Sequence, residues 1–256
     1  MDRMFIFGLG YTASRVASAL ESRGWAVTGT GRGGAVAFDD EAAVRAALTG
    51  ATHVLSSVPP ADEADPVLTR YADALGGQWL GYLSSTGVYG NTGGAWVDES
   101  APVGSGRRTA RAEADAAWLV RGARVFRLPG IYGPVRSALD RVRESKAHRI
   151  DMPGQVFSRI HVDDIVSGVL AALDAPPGAY NLADDLPASQ NAVIEEACRL
   201  LGQEPPPLRS LDEAGLSAPA RAFYAENRRV ANGKAKRVLG WQPRYPTYRE
   251  GLASLA

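Results

Sequence analysis

Cysteine is nearly absent: Cys198 is the only one in 256 residues. That excludes an intrachain disulfide and a cysteine-built metal site. It also makes a reducing, cytoplasmic setting the expectation. Histidine is scarce too, and His53, His148 and His161 are too scattered to predict a metal centre. Net charge is missing, with 28 Lys+Arg against 28 Asp+Glu, so neither a nucleic-acid footprint nor a membrane-surface stripe is expected. No apolar run approaches the length of a membrane span. No basic-then-apolar leader is evident, so no signal peptide is expected, and no internal repeat or low-complexity tract stands out. What is present is an ordinary globular composition, 45% hydrophobic and 22% charged. The length suits one large α/β domain, or a domain with a smaller appended lobe.

The most informative stretch is Met4-Phe5-Ile6-Phe7-Gly8-Leu9-Gly10-Tyr11-Thr12-Ala13. An apolar run enters two glycines, and a helical pattern (Ala13, Val16, Ala17, Leu20) follows at once. This is the strand–turn–helix of a dinucleotide fingerprint, G-x-G-x-x-A. Gly8 permits the tight turn, Gly10 leaves room for a pyrophosphate, and Ala13 lets the helix pack close to the strand. The helix start, Tyr11-Thr12-Ala13, would aim free N–H groups at the phosphates. A second strand is predicted over Trp25–Thr30, completing a βαβ unit. Its end, Thr30-Gly31-Arg32-Gly33-Gly34, has no acid to hold a ribose 2′-hydroxyl. Arg32 is read as a clamp for a 2′-phosphate, against the alternative of an ordinary solvated arginine, and NADP is favoured over NAD. Asp39 either lies near the adenine or caps the next helix.

Alternation continues down the chain. A helix is expected over about 41–48, a buried strand over 52–58 and a helix over 67–75. A strand follows over 78–85, then a long loop over 91–108, a helix over 109–120 and a strand over 123–128. Ser57, Val58 and Pro59 are candidate cofactor-lining positions because strand ends of such sheets face the ligand. His53 lies within its strand and reads as a core or edge histidine. Arg136, Arg141, Arg143 and Lys146 face either a bound anion or solvent. Pro205-Pro206-Pro207 reads as a stiff connector between helices. The predicted fold is α/β, a Rossmann-type doubly wound parallel sheet with a small C-terminal substrate lobe. The boundaries are 1–134 for the dinucleotide-binding domain with a return segment at 155–175, and 135–154 plus 176–256 for the lobe.

Four further motifs give the chain a family likeness. Ser84-Ser85-Thr86-Gly87-Val88-Tyr89-Gly90 looks like an S-S-x-x-V-Y-G strand end, and Arg127–Pro134 like an R-x-x-x-I-Y-G-P turn. Ile160-His161-Val162-Asp163-Asp164 is followed, in the tail, by Lys234 and Leu239-Gly240-Trp241. With the glycine turn, these resemble the short-chain dehydrogenase/reductase superfamily, more narrowly its extended and atypical branches, often labelled NAD-dependent epimerase/dehydratase. The resemblance implies catalysis by Ser, Tyr and Lys around a nicotinamide that is walled by Pro129 and its neighbours. Ser85 matches the serine. The Y-x-x-x-K motif is missing from the expected window, where Ser105 and Thr109 stand in the Tyr and Lys positions. Arg107, Arg108 or Arg111 would supply positive charge there, and Tyr89 or Tyr132 are the candidate substitute acids. The phosphate-binding arginine that related epimerases carry just before I-H-V is Phe157 here, with Arg159 close but offset.

Two functions are therefore expected to compete. One is an NADP-dependent oxidoreductase or epimerase on a small, nucleotide-linked or other, substrate. The other is a catalytically weak dinucleotide-binding sensor or regulatory protein. A third and weaker reading is a reductase-like subunit of a larger assembly. A small-molecule partner is expected, with no nucleic acid, membrane or metal, and a homodimer through the helices at 65–75 and 109–120 is the arrangement the resemblance implies.

Overall fold

A run of consecutive apolar strand residues belongs to a sheet covered on both faces, and Met4–Phe7 of β1 (Arg3–Phe7) shows this directly. Met4 and Ile6 pack on one face with Val16, Leu20, Leu55 and Phe126. Phe5 and Phe7 pack on the other with Val44, Leu48, Tyr71 and Trp118. Each such fully buried side chain contributes about 1.5–3 kcal/mol relative to exposure. The structure, a computed structural model, describes residues 2–61, 63–105 and 109–256.

Chain order runs β1, α1 (Tyr11–Glu21), β2 (Ala26–Gly29), α2 (Glu41–Gly50), β3 (His53–Ser56), α3 (Pro66–Tyr71), β4 (Trp79–Ser85), α4 (Thr109–Val120) and β5 (Arg124–Leu128). Then come α5 (Ala138–Arg143), α6 (Val162–Ala171), β6 (Gly178–Asn181), α7 (Gln190–Leu201), α8 (Ala218–Phe223), α9 (Gly233–Leu239) and α10 (Tyr248–Ala253). The six strands form one parallel sheet in the order β2-β1-β3-β4-β5-β6. Beyond β2, the apolar run at 35–38 is reduced to a single bridge between Thr30 and Val36. Strand order reverses between β1 and β3, and ligands of such sheets bind outside the strand ends at that switch point. The glycine turn lies there.

Some expected boundaries move. The segment 176–256 was expected in the lobe, yet Gly178–Asn181 is the sheet's sixth strand, paired with β5. From the tail, Ala235 and Trp241 pack in the core beneath the sheet with Ile165 and Val169. The helix expected over 67–75 is α-helical only to Tyr71, then tightens to a 3-10 turn over Ala72–Ala74. Asp40, not Asp39, caps α2 by accepting from the Ala43 N–H, and Asp39 instead pairs with Arg70. His53 sits at the sheet margin between Trp25 and Trp79, ring centroids 4.6 and 5.7 Å away.

The smaller lobe is built on α5, α7 and α10, whose Leu139, Val142, Val193, Ile194 and Leu252 close a core of their own. Local sequence explains these helices. Ser137 with Asp140, and Thr247 with Glu250, form capping boxes, and Gly202 ends α7 in the left-handed region. A short parallel pairing of Gly130–Tyr132 with Arg159–His161 joins lobe and sheet.

Two buried aspartates contrast. Asp115, fully buried on α4, receives a bidentate pair from Arg127 (Nε 3.0 Å, Nη2 2.7 Å) and the Ser84 hydroxyl (2.7 Å). Burial opposes the charge on Arg127, but the bonds and charge of Asp115 outweigh it and hold the guanidinium protonated. Asp184 is as deeply buried, and its Oδ2 has no hydrogen-bond partner. Burial lifts its pKa from 3.8 to about 8, against the opposing pull of Arg159.

Removing one partner of a buried pair strands the other charge, so Asp115→Ala should lower folding stability by about 3–5 kcal/mol. Urea denaturation measures this, and a loss within 1 kcal/mol of zero contradicts a structural role for the pair. For Asp184 the sign is opposite to that of a paired carboxylate. Between about pH 4 and pH 8 the folded chain keeps a proton that the unfolded chain has lost, so stability falls as pH rises through that window. Asp184→Asn should therefore raise the melting temperature more at about pH 8 than at about pH 5. Equal shifts at both values would contradict the raised pKa.

Candidate cofactor groove and substrate chamber

The turn after β1 is built for close approach. Gly8 has φ +84°, and a Cβ there would lie 3.0 Å from Val58 Cγ2 and 3.1 Å from Ser57 Oγ. A Cβ on Gly10 would meet nothing nearer than the Gly8 carbonyl at 4.0 Å, so space is open above it. No side chain caps α1, and its first turn holds no acidic residue. Its leading N–H groups and positive dipole end are thus available to an anion, as a pyrophosphate requires. The β2 tip folds back onto this turn: the Gly8 N–H donates to Thr30 Oγ1 (3.1 Å) and the Leu9 N–H to the Thr30 carbonyl (2.7 Å). Arg32 is exposed on that tip. These residues fit a dinucleotide.

One cavity of about 1170 Å³ begins at Gly10–Ala13, passes Ser57, Ser85 and Pro129, and ends in a chamber between sheet and lobe. Tyr11 lines it, with its hydroxyl bonded to the Pro134 carbonyl (3.1 Å) and its ring between Arg15 and Arg136, each 5.6 Å from the centroid. A Cβ on Gly133 would stand 2.7 Å from that hydroxyl, which accounts for the glycine of I-Y-G-P. Thr12 and Ala13 also line the cavity, whereas Gly8, Arg32, Val58 and Pro59 do not. Val58 packs against Gly8, Ser57 donates its hydroxyl to the Gly8 carbonyl, and Pro59 is exposed.

Ser85 ends β4 at the cavity wall, where its Oγ accepts the Gly87 N–H at 3.1 Å. That bond leaves the hydroxyl proton available to a substrate oxygen. Tyr89 is not placed for catalysis. It is buried away from the cavity, donating to Asn181 Oδ1 (2.8 Å) and accepting from Arg127 Nη1 (3.0 Å), and burial raises its pKa. Tyr132 presents atoms to the cavity, but its hydroxyl is buried without a partner against Gly251, where a Cβ would lie only 1.9 Å away. Burial raises its pKa as well. The expectation of substitute acids at Tyr89 and Tyr132 is therefore corrected: tertiary packing turns both hydroxyls away from the chamber.

In the region of the missing Tyr–Lys pair, Ser105 is exposed and donates to the Tyr89 carbonyl (3.0 Å). Arg111 on α4 lines the cavity, while Arg107 and Arg108 lie outside the described residues. Of the basic residues around α5, Arg136 and Arg141 line the cavity, but Arg143 and Lys146 do not. The I-H-V-D-D motif is a docking element. His161 caps α6 by accepting the Asp163 N–H at Nδ1 (3.2 Å), and burial lowers its pKa. Asp164 receives the backbone N–H groups of Arg244 (2.6 Å) and Tyr245 (3.2 Å), and Trp241 Nε1 donates to Ser167 Oγ (2.9 Å). Lys234 donates to the Ala179 carbonyl (2.8 Å) at the sheet edge. Sequence reasoning missed the far chamber wall, where Phe157, Arg159, Gln190 and Tyr224 meet. Only Phe157 and Arg159 carry a sequence signal, as the residue in the place of the phosphate-binding arginine before I-H-V and the arginine offset from it.

No protein-family model matches the chain. A solved protein of unknown function from Silicibacter pomeroyi is 40% identical, with a TM-score of 0.89, covering 100% of this chain and 98% of its own. The human epimerase family protein SDR39U1, solved with NADPH, is 15% identical with a TM-score of 0.79 over 99% of both chains. Among curated proteins, Escherichia coli protein YeeZ is 26% identical over 96% of this chain and 97% of its own. A Streptomyces 3-diazoavenalumate denitrifying reductase is 34% identical over 103 residues, which span 38% of this chain and only 33% of the reductase. The chain belongs to the same family as the Silicibacter protein, and its parallel sheet with the glycine turn is the fold of the human epimerase family protein.

Proposed function

We propose that the chain binds NADP(H) along the groove and acts as an NADP-dependent oxidoreductase or epimerase on a small substrate held in the chamber. The observation that carries this reading is the continuity of one cavity from the uncapped start of α1, past the Ser85 hydroxyl, into the chamber between sheet and lobe. When bound, the nicotinamide would supply or accept a hydride beside Ser85. This chain's own groups orient and stabilise. The Ser85 hydroxyl donates to a substrate oxygen, and Arg111, on the same cavity wall, offsets the negative charge that develops on that oxygen. A bound water exchanges the proton, since neither Tyr89 nor Tyr132 points its hydroxyl into the chamber. Arg32, on a tip pinned to the glycine turn and without an acidic neighbour in sequence, supports the 2′-phosphate preference. The NADPH of the human relative and the reductase activity in the Streptomyces protein's name support the same direction.

A second reading is a dinucleotide-binding sensor with little turnover. The missing Tyr–Lys pair and the two turned-away tyrosine hydroxyls favour it.

Titration with NADPH and NADH, followed by nicotinamide fluorescence, should show NADPH preferred. Arg32→Ala should cut that preference about tenfold or more, the value of a charge-assisted contact. An unchanged ratio contradicts the clamp. In a screen of carbonyl and sugar-nucleotide substrates, any turnover found should fall about 100- to 1000-fold in Ser85→Ala, as when an oxyanion donor is lost. Tight NADPH binding with no turnover across the screen would instead favour the sensor.

A further inference from the structure

A buried charge on the chamber wall has no part in the proposed reaction. Arg159 is only 7% exposed, yet it lines the chamber. Its guanidinium donates to the Phe157 carbonyl (2.8 Å), the Ala188 carbonyl (2.9 Å) and Gln190 Oε1 (3.1 Å). All three acceptors are neutral. Both carbonyls are already satisfied, because the Phe157 and Ala188 backbones bond each other in both directions (2.9 and 3.1 Å). Arg159 is therefore not needed to pair them. Three of its five N–H donors are used, and no carboxylate among the described residues lies within ion-pair distance.

Asp184, the acid that acts most strongly on it, forms no ion pair with it. The Asp184 N–H donates to the Arg159 carbonyl (2.8 Å), but its carboxylate does not reach the guanidinium as a pair, and burial raises that carboxyl to about 8. Burial in turn lowers Arg159 to about 10, which still leaves it charged. A desolvated cation without a counterion destabilises the free fold, and an arriving anion recovers that loss. Beside it, the Phe157 and Tyr224 rings meet edge to face at 5.6 Å, and Phe223 is 62% exposed at the chamber rim.

Building on the reductase reading of the same cavity, we infer that Arg159 is the seat of an anionic group, a carboxylate or a phosphate, on a substrate whose flat apolar body lies against Phe157 and Tyr224. The planar fork of arginine suits either group, and charge-assisted bonds to it are stronger than neutral ones.

Calorimetry with cinnamate, phenyl phosphate and uncharged cinnamyl alcohol tests this. At least one anionic probe should bind the wild-type protein more tightly than the alcohol, and which one binds better distinguishes carboxylate from phosphate. Arg159→Gln should weaken the anions about 10- to 100-fold and leave the alcohol unchanged. Anions that bind no better than the alcohol, or equally well to Arg159→Gln, overturn the inference. Arg159→Met adds a readout that needs no ligand. Its melting temperature should match or exceed the wild-type value, and a fall of several degrees would show that Arg159 is a structural tether, which also overturns the inference. NADPH titrated into the wild-type protein alone scores the cofactor reading separately, so either reading can fail while the other stands.

Discussion

The buried Arg127–Asp115 pair is the constraint on which the site depends. It ties α4 to β5, and through the Ser84 hydroxyl it ties both to β4. Arg127 also holds the Tyr89 hydroxyl, which reaches Asn181 of the edge strand β6. The Asn181 N–H in turn donates to Glu99 (2.7 Å) from the loop before α4, and its side chain donates to the Ala231 carbonyl (3.1 Å) near the tail. One polar network thus joins three strands, a helix and two distant loops under the chamber. Such a network is favourable only when its members are satisfied, and among the described residues none of its side chains has a buried N or O atom without a partner.

The same network explains why two adjacent serines do different work. Successive strand residues point to opposite faces. Ser84 turns toward α4 and Asp115, so Ser85 must turn toward the cavity. Tyr89, four residues beyond β4, is drawn down into the network and away from the cavity. The pattern S-S-x-x-V-Y-G is therefore mostly a structural clamp that presents one free hydroxyl. The tail behaves similarly. Lys234 and Trp241 anchor to the β6 edge and to α6, closing the sheet face that α1 and α6 share.

Much of the fold was legible because the signals were local. Gly8 and Gly10 follow an apolar strand and open an apolar-periodic helix, and α4 spans the residues its Ala-rich pattern suggested. Strand β6 was missed for a physical reason. It has four residues, and its partner β5 lies about fifty positions earlier, so nothing in its neighbourhood reveals the pairing. Directions of side chains were illegible for the same reason. Whether the Tyr132 hydroxyl enters the chamber depends on Gly251, more than a hundred residues away. Arg159 shows the converse: its identity was visible, but that no carboxylate among the described residues pairs with it is a property of the packed chamber alone.

The central claim is that the groove along Gly10–Ala13 holds NADP(H) with its reactive end beside Ser85. A crystal structure of the NADPH complex tests this most directly. The pyrophosphate is expected over the start of α1, the 2′-phosphate against Arg32 and the nicotinamide facing Ser85 and Pro129. A crystal soaked to saturation with an empty groove, or a cofactor bound with its 2′-phosphate remote from Arg32 and its nicotinamide outside the chamber, would contradict it.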